Sequence, residues 1–415
     1  MKRMYFAIML LLLSCGGLSA LGVGKALLYS DSFMLRARGS EALYYNPALI
    51  NERYTDVYLP LVNVGFFINN NSLNLDTYNF IMARDSLTTL DKEYILSRIE
   101  KSMSTSLEAH VSLFGLTVGN VGLASSAHVY GTGSVSRQYL ELLLYGNQDS
   151  LYVFTKEDNN LSVLSFIDLT FGMGDFRVPL PEGWDPNLRV GFSGSLLVGI
   201  EDINTHTFDG RFSSGFDGLS LHQDIEMHTG VVGMGFKGML GAVAEPIPNL
   251  TLGLSVDNIL GGIRWGLDTK GIRYTFDADS VYVAQMEDDF FTQEDETFDI
   301  SAYTTELPVE FRLAGMYQLG HSSLSADWVL PAGESAMNFA SGTLSLGAEI
   351  NPLKYFPVHM GMSFGNSKIP PRFSLGAGIV TSFGDIGLGF QSFDSLIPGP
   401  SSKGISLGTY FNFTI

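Results

Sequence analysis

Apolar side chains alternate with glycine, serine and scattered charges from about residue 105 to the end of this chain, and a period of two is the signature of β-strands. In 372–383 one face carries Phe373, Leu375, Ala377, Ile379, Thr381 and Phe383, and the other carries Arg372, Ser374, Gly376, Gly378, Val380 and Ser382. The last segment sets Leu407, Thr409, Phe411, Phe413 and Ile415 against Ser406, Gly408, Tyr410, Asn412 and Thr414. Residues 107–113, 121–130, 163–174, 188–196, 250–257, 307–319, 343–350 and 356–365 behave alike. A soluble sandwich makes such a pattern by turning the apolar face to a core. A membrane barrel makes it by turning that face to lipid and the polar face to a lumen. Three features favour the barrel. The polar face is mostly Gly and Ser, where a wet surface would carry more Lys and Glu. The runs are often about 9–12 residues, the length of a tilted membrane strand. Aromatics such as Phe356/Phe364 and Phe373/Phe383 sit near run ends, like interfacial girdles. The expected fold is all-β, a transmembrane antiparallel β-barrel.

Composition agrees. Only 16% of the 415 residues are charged, against about 25% in soluble proteins. The formal net charge of −19 repels phosphate backbones and argues against a nucleic-acid partner. A single cysteine, Cys15, excludes an internal disulfide and a thiolate zinc cluster. It lies in a targeting segment: a Lys2-Arg3 start, an apolar run from Tyr5 to Leu13, and small residues from Ser14 to Ala20. Residues 1–20 therefore read as a secretory signal peptide, with lipidation of Cys15 as the minority alternative. The apolar run is too short to cross a bilayer as a helix, and no later stretch of about 18 residues is both apolar and uncharged. The expected location is the outer membrane of a Gram-negative cell, with its lipid as a partner.

Turn residues separate the runs at Gly119-Asn120, Pro331-Ala332-Gly333, Asn351-Pro352, Asn366-Ser367, 382–385 and Pro398-Gly399-Pro400. Helical spacing appears in 88–103 and 136–145. The polar stretches 203–230 and 268–305 suit long loops or extended hairpins. The expected organisation is a signal peptide at 1–20, an N-terminal segment at 21–56, and a barrel at 57–415 with the two helical insertions.

Catalytic motifs are lacking. Gly233-Met234-Gly235-Phe236-Lys237-Gly238 matches a dinucleotide pattern, but no βαβ unit surrounds it, so a Gly-lined strand is expected. His222 and His228 share a segment with Asp224 and Glu226 that could hold a metal weakly, but it is read as a solvated loop or strand edge, and no metal is assigned. The acidic stretch 287–299 lacks EF-hand spacing and suits a solvated loop, or one whose Phe290, Phe291 and Phe298 touch a partner. There is no Gly-x-Ser-x-Gly elbow. No enzyme, catalytic residue or cofactor is expected. Charge is costly on a lipid face, so Glu108, His110, Asp168, Arg189, Asp257, Glu310, Arg312, Asp327, Glu349 and Arg372 are expected to face the lumen. There they form a polar pathway or plug contact, or, as preferred here, cross-strand pairs that close the lumen.

The Ala-Leu-Tyr-Tyr-Asn-Pro-Ala segment at 42–48 resembles a motif of long-chain fatty-acid transporter-like outer-membrane proteins and related PorV-type barrels. Asn69-Asn70-Asn71, the segment Leu87 to Leu96, and the stretch Glu141 to Asn147 look closest to an uncharacterised branch of that superfamily. The resemblance implies about 14 strands, between about 12 and 18. It implies a hatch entering the barrel, carrying Tyr44, Tyr45, Asn46, Pro47 and Ala48. It also implies binding or passage of a small hydrophobic molecule. Two alternatives stand beside it: a docking barrel for a surface protein partner, and a soluble secreted β-sandwich.

Overall fold

Strand pairing closes on itself. The structure, a computed structural model, describes residues 24–50, 56–58, 63–146, 148, 150–181, 186–215, 218–281, 292–335, 338–339, 342–365 and 368–414. Residues 1–20, Cys15, the first part of 287–299 and the Asn366-Ser367 turn lie outside the described residues. In chain order the barrel strands are β1 (Val64–Asn70), β2 (Ser102–Val118), β3 (Val121–Ser136), β4 (Asn160–Arg177), β5 (Arg189–Gly215), β6 (Gly218–Ile247) and β7 (Leu250–Val281). They continue as β8 (Glu310–Leu319), β9 (Ser322–Pro331), β10 (Thr343–Leu353), β11 (Phe356–Phe364), β12 (Arg372–Thr381), β13 (Gly384–Phe393) and β14 (Gly404–Thr414). Each pairs antiparallel with its neighbours, and β14 returns to β1, giving a closed 14-stranded barrel. Asp56–Tyr58 also pairs with both β14 and β2, so two pieces share the first position in the ring. A closed ring rules out the soluble sandwich.

Burial is inverted relative to a soluble protein. Ser126, Ser345, Ser363 and Ser406 are buried, while Phe171, Leu196, Met234, Leu346, Leu375 and Leu388 stand exposed on the outer face. A broad exposed apolar belt of this kind suits a lipid surround. Among the described residues no helix is long and apolar enough to cross a membrane.

One end of the barrel has tight turns, as at Gly119-Asn120, and the other carries the long connections. Among the described residues the connections hold three helices of eight or more residues, each with an identifiable start. Asn74 caps α3 (Leu75–Met82), counted after the short α1 (Gly24–Leu27) and α2 (Ala42–Tyr45). Thr88 and Asp91 form a reciprocal box at α4 (Thr89–Ser97). Ser136 caps α5 (Arg137–Tyr145), which stops at Gly146 with φ 75°. The first helical expectation thus overran. The chain leaves the helix after Ser97, and Ser102 and Met103 pair with Ser136 and Val135 in the β2–β3 ladder.

The expected turn at Asn351-Pro352 is also corrected. Both residues belong to β10, and the turn follows at Lys354-Tyr355. The ladder shifts register between Ile350 and Leu353, and that irregularity accommodates a proline with no N–H to give. The polar stretch 203–230 is an extended hairpin. β5, β6 and β7 run 27, 30 and 32 residues, far beyond the roughly 9–11 needed to cross a membrane. Tyr152–Thr155 and Thr292–Asp299 widen this outer sheet by pairing with β5 and β7. Phe298 covers Gly271 of β7 rather than standing free.

Candidate functional site

Residues 24–50 occupy the lumen, nearer the tight-turn end. Their apolar side chains, including Leu27, Leu28, Phe33, Met34, Leu35, Leu43 and Ile50, are almost fully buried and form one cluster with wall residues Ala124, Val243 and Tyr410. The segment is built of single turns, among them α1, α2 and a 3-10 turn at Pro47–Leu49. The backbone comes so near the wall that a Cβ on Gly174 would stand 1.7 Å from the Pro47 carbonyl oxygen. Only glycine tolerates that approach.

The 44–48 motif has a local explanation. Pro47 starts the 3-10 turn, where its missing N–H costs nothing. Asn46 Oδ1 accepts from the Ala48 N–H at 3.1 Å, and its amide nitrogen donates to the carbonyls of Ala242 on β6 and Leu254 on β7. One side chain therefore caps the turn and clips it to two strands. Ala48 is fully buried. Tyr45 packs edge-on against Phe33, with the Arg312 guanidinium 5.3 Å from its ring centre. Tyr44 donates to Asp168 Oδ1 at 2.8 Å.

The other expected charges fall into two sets. Asp327 accepts from the Met34 N–H at 2.9 Å and from Ser32 Oγ at 3.1 Å. Glu349 accepts from the Tyr29 hydroxyl, with Arg36 3.9 Å away. Arg372 pairs with Asp31 at 2.7 Å. These three, with Asp168 and Arg312, meet the inner segment. By contrast, Asp257 meets Lys237 at 3.2 Å, and Arg189 meets Asp175 and Glu245, all of them wall residues. Glu108 and Glu310 are half-buried on β2 and at the start of β8. His110 is buried with its ring 4.5 Å from that of His128.

Asp168 is the hub. Besides Tyr44 it takes the Ser126 N–H at 3.2 Å and meets His128 Nε2 at 2.6 Å. The His128 ring in turn stacks on Phe166 at 4.7 Å. Phe166 opens an apolar shelf on the inner wall, with Leu164, Leu197, Ile263, Trp265 and Leu307 buried together and Tyr130 and Tyr303 at its margin. Trp265 fits because Gly199 and Gly233 leave room, since a Cβ at either would approach its ring within 3 Å. The inner segment, a polar hub and an aromatic shelf thus follow one another along the lumen. Towards the long connections a recess of about 330 Å³ is lined by charges of both signs, among them Arg98, Lys101, Glu157 and Lys403.

Sequence reasoning missed several partners. Tyr410, which accepts or donates at His359 Nε2 over 3.1 Å, carried a signal: it is an aromatic on the otherwise small, polar face of the last strand. Lys25, Arg36 and Ser32 carried none, because the inner segment has no period. Ile263 and Trp265 were hidden by irregular register between β6 and β7, where Asn258 and Leu260 adopt positive φ.

Fold and contents define a class: a closed barrel with an apolar outer face whose lumen is filled by residues 24–50. No family model and no curated protein matches the chain. Solved structures similar to it include the toluene transporter TbuX of Ralstonia pickettii, at 13% identity and TM-score 0.46, over 91% of this chain and 94% of that one. The P. putida toluene transporter TodX gives 11% identity and TM-score 0.47, over 96% and 98%. A Pseudomonas aeruginosa FadL homologue gives 14% identity and TM-score 0.47, over 96% and 99%. These structures belong to the class that the 42–48 segment resembles. Their identities and TM-scores are low, and the fold rests on the strand register itself.

Proposed function

We propose that the protein lies in the outer membrane and passes a small hydrophobic molecule, with residues 24–50 acting as a hatch that moves. The observation that carries this reading is the aromatic shelf directly above the inner segment. A lumen for water and ions has polar walls, whereas here Phe166, Ile263 and Trp265 are packed together inside the barrel with almost no accessible surface, an apolar cluster that a hydrophobe could enter only by parting it. The route is shut by the inner segment, so passage requires its contacts to break. Its polar contacts are single hydrogen bonds and ion pairs spread over many strands, each worth roughly 0.5–3 kcal/mol net, and its apolar cluster with Ala124, Val243 and Tyr410 must part with them. They can be released in sequence without opening the strand ladder. Passage of a hydrophobe needs no covalent chemistry or cofactor.

The test is uptake of radiolabelled toluene or a long-chain fatty acid into proteoliposomes. Ser32 Oγ and Ser325 Oγ are 2.8 Å apart, so the pair Ser32→Cys/Ser325→Cys can form a disulfide joining inner segment to wall. Oxidised double mutant should slow uptake to the rate of empty vesicles, and reductant should restore it. Equal uptake by the oxidised and reduced forms, or no uptake by the wild type, overturns the hatch reading. A co-purifying stoichiometric protein with no uptake would make this a docking barrel instead.

A further inference from the structure

We propose that His206, Glu226 and His228 bind one divalent transition-metal ion of the zinc class at the outer mouth of the lumen. Glu226 and His228 are two apart on β6 and therefore share a face. His206 reaches that face through a bulge. The β5–β6 ladder pairs Thr205 with Met227 and then Thr207 with Glu226, leaving His206 as the extra residue. Bulges re-aim side chains in this way. As a result the His206 and His228 rings stack 4.0 Å apart.

The ligand atoms are close together. His228 Nε2 meets Glu226 Oε1 at 2.8 Å, and one donor atom from each of the three residues lies within 4.8 Å of the others. Zinc binds imidazole nitrogen at about 2.0–2.1 Å, so ligands of one ion lie within about 4.2 Å of one another. The rings are nearly parallel, 9° apart, and an ion must lie in the plane of each. Binding therefore requires the exposed His206 ring to turn out of the stack. The ion then takes the place of the proton between Glu226 and His228, and water supplies the remaining ligand.

Other nearby groups are engaged elsewhere. His222 is held by Asp277 at 2.7 Å, and Asp224 by Arg273 at 2.8 Å. They leave two imidazoles and one carboxylate, a donor set that suits zinc, copper or nickel better than calcium or magnesium. The position gives the ion a role. The last exposed large apolar side chains on β5 and β6 before this point are Ile200 and Val231, so the cluster stands just past the apolar belt. The Tyr303 ring, at the margin of the shelf, is 6.1 Å from that of His228. A bound ion ties β5 to β6 where the bulge interrupts their ladder and stiffens the mouth above the shelf.

The experiment is calorimetric titration of the untagged, chelator-stripped protein in detergent with Zn²⁺, in the presence of excess Mg²⁺. Wild type should take up one ion per chain. His206→Ala and His228→Ala should each weaken binding about tenfold or more, while His222→Ala should not. Gel mobility before and after heating checks that every variant keeps the barrel. Titration with Co²⁺, whose visible absorption reports nitrogen ligation, gives a second readout that should vanish in His206→Ala. Absence of stoichiometric uptake by wild type, or unchanged binding in a folded His206→Ala, overturns the site.

Discussion

Asp168 shows how much a single residue holds. It serves Tyr44, Ser126 and His128 from a position with almost no solvent. Asp168→Ala removes the acceptor of the Tyr44 hydroxyl, the Ser126 N–H and His128, leaving Tyr44 to Ser126 Oγ and His128 to the Tyr130 hydroxyl, and each buried donor left unmet costs roughly 1–3 kcal/mol. The expected outcome is a folded barrel with a loosened inner segment. Limited proteolysis should cut residues 24–50 faster, and the heat-modified gel transition should drop. Gly174→Ala should do the same by a different route, because its Cβ would collide with the Pro47 carbonyl. Most of these partners were legible only on the wall side. The alternation places Asp168, Asp327, Glu349 and Arg372 on the polar face of their strands. Nothing periodic marks Tyr29, Ser32 or Arg36, whose positions follow from single turns packed by tertiary contacts. The extra residue in a bulge leaves no mark in the sequence, which is why His228 was grouped with His222 rather than with His206.

At the scale of elements, α4 makes a pH prediction. The Thr88 backbone N–H donates to Asp91 at 2.9 Å, and with the Thr88 hydroxyl and then Arg84 it holds the Asp91 carboxyl below the ordinary carboxylate range. A carboxyl whose folded pKa is depressed stabilises the fold above its unfolded value, about 3.9, and that contribution is lost as pH falls through the lower folded value. Amide protection at the start of α4, taken relative to the intrinsic exchange rate at each pH, should therefore be high at neutral pH and fall only on acidification below the usual carboxylate range. Asp91→Asn should remove most of that pH dependence. The capping box was readable from Thr88 and Asp91 in the sequence, but the end of the helix was not. Met103 continues the helical spacing while belonging to β2, because pairing with β3 outweighs a weak local propensity.

For the whole molecule, the inverted burial makes a sharper test than any loop. Leu196, on the outer face of β5, is 61% exposed. Leu196→Arg should cost about 2–4 kcal/mol in lipid if it lies near the bilayer midplane. Reversible unfolding in lipid vesicles would register the loss, and unchanged stability would remove the lipid-facing belt. Fold class was legible because one face of each strand is apolar over a membrane's thickness and the other is small and polar. The heights of β5, β6 and β7 were not, since their outer portions are too polar to be distinguished from loops by composition.

The seam between the last strand and the first has a consequence for how the protein is made. β14 pairs with β1 and with Asp56–Tyr58, so the ring closes only when the fourteenth strand finds the first. The inner segment lies just before those first strands and is hydrogen-bonded to residues as far along the chain as Gln391. A segment anchored around so much of the circumference is readily surrounded by a sheet that is still open, and hard to thread into one already sealed. Chain closure is then also the step that encloses the inner segment, and a protein that misses the seam loses the ring and its filling together.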